Sequence, residues 1–309
     1  PSALAPDAPS LVRLIGLLPL VYLLVALGVV SAGRFLAARL GQRQTVLIVP
    51  AAVLVVVLTA WRTVDSGRIW LAAPEVREKY QSIWLDIAQY WRANWHDMPN
   101  ETLVIADSWY EPVKADSLRL DVGFAPPARW VQNHRALVLP AAEGLFYVPE
   151  FAPPHPLLFE LIAAEPLYRS DAYPSFAVYA LPAELPIELI EPLEMAHPSG
   201  GRVSLLGYQF EAAEGELHLL TYWRVEQPVP WDTSTFLHAL DAEGQVMAQY
   251  DGLDAAASTL QAGDRFVQLH TLPAGLEATK LALGMYTRES GVRFQQVGAS
   301  LDFIELETE

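Results

Sequence analysis

Aromatic and acidic side chains in the C-terminal part of the chain have the chemistry needed to hold a sugar. Trp231 lies in the 227–233 loop, directly after two prolines, and Tyr222 lies in the alternating run that precedes this loop. An aromatic ring offers a sugar a flat apolar surface with a polar edge. Together with His238 and Asp251, which can hydrogen-bond hydroxyl groups, these two residues form the predicted glycan contact.

Each of these assignments has a structural alternative. Trp223 shares a strand face with Leu217 and Leu219, which assigns it to a core rather than to a sugar. His238 can instead form a hydrogen bond inside the fold. Asp251 belongs to a group of acidic residues in predicted loops, and the alternative is that these side chains are simply exposed to solvent: Asp232, Glu243, Asp251 and Asp254.

The sequence predicts neither a metal site nor a catalytic centre. Three histidines lie within predicted strands, but they lack the short spacing typical of zinc ligands: His218, His238 and His270. The acids form no Asp-x-Asp-x-Asp-Gly calcium loop. Residues 107–111 follow a buried strand, where α/β sheets gather ligands, yet they lack the glycine motifs of dinucleotide sites and hydrolase elbows. No cofactor is therefore expected.

The N-terminal region predicts two transmembrane helices, at residues 11–32 and 45–62. Both segments are mostly apolar, and a bilayer core of ~30 Å needs about 20 apolar residues in a helix. The connector carries Arg34, Arg39 and Arg43 and no acid, which places it in the cytoplasm. Residues 1–68 are thus a predicted hairpin in the lipid bilayer of the cell membrane, and residues 65–309 are predicted to be extracytoplasmic. A buried hairpin of a soluble protein is the alternative.

Residues 75–181 predict a small α/β (Rossmann-like) domain. Apolar residues recur at three- and four-residue intervals across 75–95, as in one amphipathic helix. Short buried strands and helices then alternate, which is typical of an α/β layer with a mainly parallel sheet. The strands are predicted at 101–106, 128–132, 135–140, 145–148, 167–170 and 176–181.

A proline-rich linker, residues 182–201, precedes a predicted all-β sandwich (immunoglobulin- or jelly-roll-like) at 202–309. Period-two alternation and regular turn signals define its strands. They are predicted at 203–211, 216–225, 234–240, 245–250, 265–272, 279–287, 292–296 and 301–306. The predicted fold class is therefore mixed: a transmembrane hairpin, then an α/β domain, then a β-sandwich.

The composition excludes some partners. The sequence contains 36 Asp and Glu residues and 20 Lys and Arg residues, which gives a formal net charge of −16. Its basic residues are not clustered in a way that would contact a phosphate backbone. Nucleic acid is therefore not an expected partner. Cysteine is absent, so each domain must be held together by its own core rather than by disulfides.

Three segments of the sandwich region carry a family resemblance: 219–224 (Leu-Leu-Thr-Tyr-Trp-Arg), 235–241 (Thr-Phe-Leu-His-Ala-Leu-Asp) and 244–252 (Gly-Gln-Val-Met-Ala-Gln-Tyr-Asp-Gly). They resemble the C-terminal region of multi-pass bacterial membrane glycosyltransferases, similar to the mannosyl- and arabinosyl-transferases that use polyprenyl-phosphate sugars. The resemblance implies that membrane helices preceding this chain bind the lipid-phosphate donor and carry the catalytic carboxylate. The soluble domains would then recognise a glycan or protein acceptor.

Two functions follow from these expectations. The first is the C-terminal part of a longer polytopic glycosyltransferase, which also fits a chain that begins on the outer side without Met. The second is a non-enzymatic, membrane-anchored surface protein whose sandwich binds glycan or protein. Neither function places a catalytic residue in this chain.

Overall fold

A computed structural model describes most of the chain from residue 42 onward. The described residues are 42–79, 82–94, 101–123, 127–132, 134–162, 165–182, 184, 190–213, 215–275 and 278–306, with scattered positions between 23 and 38. The chain divides into two compact units, Pro1–Ala73 and Pro74–Glu309. The predicted boundaries at 68, 75–181, 182–201 and 202–309 stay predictions.

The first unit contains helix α1, Gln42–Ala72. The predicted transmembrane hairpin is wrong, because no helix among the described residues is both long and apolar enough to cross a bilayer. Beyond Trp61, where the second predicted segment closes, α1 continues through Arg62, Asp65 and Arg68. Charged residues within a helix oppose its insertion into a membrane. The first predicted segment, residues 11–32, lies largely outside the described residues.

Four α-helices are described in the second unit. They are α2 Pro74–Lys79, α3 Ile83–Asn94, α4 Pro112–Val122 and α5 Pro156–Phe159. The single helix predicted over 75–95 is thus divided between α2 and α3. Helix α4 begins with proline, which suits the first turn, and is capped after Val122 by Gly123, whose φ of 91° is favourable for glycine.

The strands of the second unit form three sheets. Their bounds are β1 Thr102–Ala106, β2 Ala128–Val131, β3 Ala136–Leu139, β4 Gly144–Pro149, β5 Tyr168–Arg169, β6 Phe176–Ala180, β7 Leu193–Ala196, β8 Arg202–Ala213, β9 Glu216–Gln227, β10 Thr233–Leu240, β11 Val246–Asp251, β12 Arg265–Pro273, β13 Lys280–Thr287, β14 Gln295–Gln296 and β15 Ile304–Leu306. The strand orders are β2-β1-β4-β6-β5, β14-β7-β8-β9-β12-β3 and β11-β10-β13-β15. Within the proline-rich linker the sequence also allows a short strand at 187–190, and this segment lies almost entirely outside the described residues.

The five-stranded sheet is mixed rather than mainly parallel. Strand β1 is parallel to β2 and β4, whereas β6 is antiparallel to β4 and β5. Strand β3, which the sequence assigns to the α/β layer, lies instead at the edge of the six-stranded sheet, where Val138 is in register with Phe266 of β12. The predicted succession of an α/β domain and a separate sandwich is therefore wrong.

Both faces of the five-stranded sheet are buried at its strand β1. On β1, Leu103 and Ile105 pack with a cluster that includes Ile87 and Trp91 of α3. Val104, between them, belongs to a larger core to which all three sheets contribute. This double burial explains why β1 is a continuous apolar run rather than an alternating one.

Candidate functional site

A cleft in the second unit has a volume of about 830 Å³. Loops that follow β1 and β2 supply part of its lining, at Trp109, Tyr110, Pro112, Gln132, His134 and Arg135. The loop before β10 and the segments after β11 and β13 supply the remainder, at 231–233, 250–258 and 288–289. Segments from all three sheets thus meet at one cavity, whose size is in the range of about 300–1,000 Å³ usual for ligand sites.

Two tryptophans on this cleft expose most of their surface. The exposed fraction is 62% for Trp109 and 67% for Trp231. Trp231 follows Pro230, whose carbonyl oxygen accepts hydrogen bonds from the Thr233 N–H at 3.1 Å and the Thr233 hydroxyl at 2.7 Å. These bonds fix a tight turn that presents the indole. Large exposed apolar groups at a cavity are typical of binding sites.

A buried hydrogen-bond network supports the base of the cleft. The Tyr250 hydroxyl and the Gln268 side-chain amide both donate to Asp254 Oδ2, each at 2.7 Å. The Asp254 N–H in turn donates to Gln268 Oε1 at 2.9 Å. Asp254 is only 4% exposed, and these donors satisfy its carboxylate. We therefore assign Asp254 a structural role, and do not expect its carboxylate to contact a bound molecule.

The Arg135 guanidinium lies over the Tyr250 ring, 5.2 Å from its centroid. A hydrogen bond with Tyr250 is the main reason that the pKa of Arg135 lies above its ordinary value. Burial raises the pKa of the Tyr250 phenol, and the Asp254 carboxylate raises it further. Tyr250 therefore stays protonated at neutral pH and acts as a hydrogen-bond donor.

Backbone hydrogen bonds join the two sides of the cleft. The Gln132 N–H, just after β2, donates to the Asp254 carbonyl at 2.7 Å, and the Ala256 N–H donates to the Trp130 carbonyl at 2.8 Å. The Tyr110 N–H donates to Gln132 Oε1 at 3.1 Å. The loop after β11 is thus tied to the ends of β1 and β2.

Charged side chains share the lining of the cleft with the exposed indole of Trp231. Asp232 Oδ2 accepts the Glu289 N–H at 2.9 Å, and Arg288 donates to the Ser234 hydroxyl at 3.3 Å. Asp251 also lines the cleft, with Oδ1 lying 3.5 Å from His238 Nε2. Carboxylate and guanidinium groups beside an aromatic ring can hydrogen-bond neighbouring hydroxyls of a polyol.

The structure brings together two of the four predicted glycan contacts. Trp231 and Asp251 line the same cleft, and His238 reaches it only through Asp251. Tyr222 is 1% exposed, and its hydroxyl lies 3.5 Å from Gln209. Burial, assisted by Glu211, raises the pKa of Tyr222 to about 12. Its side chain therefore has no surface on which a glycan could stack.

The histidines of the sandwich region have separate partners. The Thr221 hydroxyl contacts His270 Nε2 at 2.9 Å, and the Thr271 hydroxyl contacts His218 Nδ1 at 3.3 Å. Across the described residues, no group of three His, Asp or Glu side chains is arranged to hold a metal ion. Glu243, another acid considered from the sequence, lies in the β10–β11 turn and does not line the cleft.

Sequence reasoning missed several polar residues of the cleft, among them Gln132, Arg135 and Arg288. None belongs to a local motif, and only the pairing of distant strands brings them to the site. The position of Trp109 in the sequence does indicate a ligand site, because this residue follows β1 at the carboxyl end of a parallel strand pair.

Comparison with known proteins gives no family for this chain. No protein-family model matches it, and a search of curated proteins found no match. Among solved structures, it is similar to "The crystal structure of endonuclease/exonuclease/phosphatase from Beutenbergia cavernae", at 12% identity and a TM-score of 0.21. That similarity covers 40% of this chain and 30% of the other. A similarity of this size carries no argument about fold or function.

Proposed function

We propose that the Pro74–Glu309 unit binds a glycan in the cleft between Trp109 and Trp231. The observation that supports this proposal most directly is that the exposed indole of Trp231 lines the same cavity as the carboxylates of Asp232 and Asp251. A sugar has an apolar ring face and a hydroxylated edge. The indole suits the first and the carboxylates suit the second.

The cleft is preformed, which favours recognition over a transient surface contact. The Gln132–Asp254 and Ala256–Trp130 backbone bonds fix its loops, and Asp254 is held by buried donors. A ligand that enters a preformed site loses less free energy to ordering the protein. Within the sequence-based expectation of a membrane glycosyltransferase, this cleft would recognise the acceptor. That family, its lipid-phosphate donor and the extracytoplasmic location stay predictions.

A glycan array probed with the full chain tests this proposal. We expect saturable binding of wild type to one class of glycan and loss of that signal in Trp231→Ala. Trp61→Ala is the matched control, because Trp61 is 64% exposed on α1 and does not line the cleft. Binding that persists in Trp231→Ala, or an array without signal for wild type, would contradict the proposal.

A further inference from the structure

A second cavity, of about 540 Å³, shares Trp109 with the first. It lies where β1 and β4 end, next to Asp107 and Glu150, and we call it the switch-point pocket. Within the sheet, β1 lies between β2 and β4. The chain passes from β1 to β2 on one side of it, and β4 pairs with β1 on the opposite side. Open α/β sheets bind ligands at this kind of reversal, outside the carboxyl ends of the strands.

Aromatic side chains with accessible surface line the switch-point pocket. Trp109, Phe151 and Tyr173 are each at least 40% exposed. Phe151 is positioned by an edge contact with the buried Trp84, at 6.3 Å between ring centroids. The Tyr173 carbonyl accepts a hydrogen bond from Arg77 Nε at 2.5 Å, which holds its segment against α2.

The charges of the pocket are predominantly negative. Glu78 accepts a hydrogen bond from the Tyr173 hydroxyl at 3.4 Å, and Glu150 accepts one from the Ser175 hydroxyl at 2.9 Å. The Glu78 carboxylate raises the pKa of Tyr173, with a smaller effect from Glu150. Two carboxylates thus act on one side of the pocket.

The one lysine of the pocket lining does not offset these carboxylates. Lys114 Nζ donates to Asp107 Oδ2 at 2.6 Å and to the Trp109 carbonyl. The Lys114 and Asp107 side chains are 10% and 2% exposed, so they form a neutral, largely buried pair in the lining of the cavity. The remaining charge of the lining comes from Glu78 and Glu150.

We propose that the switch-point pocket binds an organic cation whose charged group is a quaternary or alkylated ammonium. Such a group is attracted to aromatic ring faces and to carboxylates, and its alkyl surface is apolar. Trp109, Phe151 and Tyr173 supply the rings, and Glu78 and Glu150 supply the charge. This site shares Trp109 with the glycan cleft, but its other rings and both of its carboxylates lie outside that cleft.

Calorimetric titration of the full chain with choline tests the pocket. The comparison ligand is 3,3-dimethyl-1-butanol, which has the same shape with carbon in place of the charged nitrogen. We expect saturable choline binding and at least tenfold weaker binding of the uncharged isostere. Equal affinity for the two ligands, or no saturable choline binding, would overturn the proposal.

Variants locate the site independently of the glycan cleft. We expect Glu150→Gln and Phe151→Ala each to weaken choline binding at least threefold. Glu243→Gln makes the same charge change on the β10–β11 turn and should leave choline binding unchanged, as should Trp231→Ala. Choline binding that is unaffected by the two pocket variants, or lost in either control, would overturn this assignment. Failure of glycan binding would leave the choline result intact.

Discussion

The backbone N–H of Gln132 donates to the carbonyl oxygen of Asp254 at 2.7 Å, and this bond joins the end of β2 to the loop after β11. The two residues are far apart in the sequence and line the same cleft. Because Tyr110 also donates to the Gln132 side chain, the position of the loop that carries Trp109 depends on the same contact. The cleft is therefore formed by the packing of distant segments rather than by one local motif.

A buried ion pair stabilises this packing. The Asp264 carboxylate, 1% exposed, pairs with Arg129 of β2 and also accepts the Gln261 N–H at 2.8 Å. We expect Asp264→Ala to lower the free energy of unfolding by about 3–5 kcal/mol, because it leaves Arg129 buried without its partner. Urea denaturation measures the loss.

The control for Asp264 is the exposed pair between Arg293 and Asp302, at 3.0 Å. Both of its side chains are more than 40% exposed, so solvent screens their attraction. We expect Asp302→Ala to cost about 0–1 kcal/mol. Similar losses for the two variants would show that Arg129–Asp264 does not behave as a buried pair.

Close packing around Gly284 of β13 leaves no room for a methyl group. A Cβ at this position would lie 2.6 Å from Phe236 Cε1 and 3.0 Å from the Asp302 carbonyl. We expect Gly284→Ala to destabilise the protein by about 1–3 kcal/mol through overpacking. Gly252→Ala, whose nearest contact is 3.5 Å from the Tyr250 hydroxyl, should cost less, and thermal denaturation can rank the two. The reverse ranking would contradict the packing described for β10 and β13.

Burial of His270 makes stability depend on pH. Burial lowers the pKa of its imidazole from 6.5 to about 3, so the folded state keeps it neutral. Below pH 6.5 the unfolded state takes up a proton that the folded state does not. The free energy of unfolding therefore falls as the pH decreases from about 6.5 to about 3, by up to ~1.4 kcal/mol per pH unit from this group.

His270→Gln removes this titration while keeping a polar side chain near Thr221. Urea denaturation of both proteins at pH 7, 6 and 5 isolates the contribution of His270, because the carboxylates are common to both. We expect the wild type to lose more stability than the variant over this range. Parallel losses in the two proteins would mean that His270 is protonated in the folded state.

The positions of the strands are encoded locally, and their partners are not. Strand β9 is predicted at 216–225 and found at Glu216–Gln227, because alternation and turn residues define it within one segment. Strand β3 is an equally clear apolar run, but its pairing with β12 depends on a segment more than a hundred residues away. Sequence periodicity has no information about that choice.

The candidate site was predictable only in part for the same reason. Trp231 directly follows Pro228 and Pro230, which indicates a loop and hence an exposed ring. The sequence predicts Tyr222 as part of the glycan contact, yet residues 218–223 of β9 are buried without interruption. When both faces of a strand are covered, alternation no longer distinguishes an inner side chain from an outer one.

Asp251 offers a second test of the glycan cleft. Its carboxylate lines the cavity beside His238, so we expect Asp251→Ala to weaken glycan binding by about tenfold through the lost charged hydrogen bond. Glu243→Ala removes an exposed acid of the neighbouring turn and should leave the affinity unchanged. Equal effects of the two variants on titration calorimetry would indicate a general charge effect instead of contact.

The dissociation constant of Trp231→Ala for a glycan selected on the array tests the central claim most directly. We expect a weakening of about 30-fold, corresponding to about 2 kcal/mol for truncating a tryptophan that anchors a ligand. Trp61→Ala should bind as wild type, and circular dichroism should confirm that all three proteins are folded. A dissociation constant for Trp231→Ala equal to that of wild type would contradict the assignment of this cleft as the glycan site.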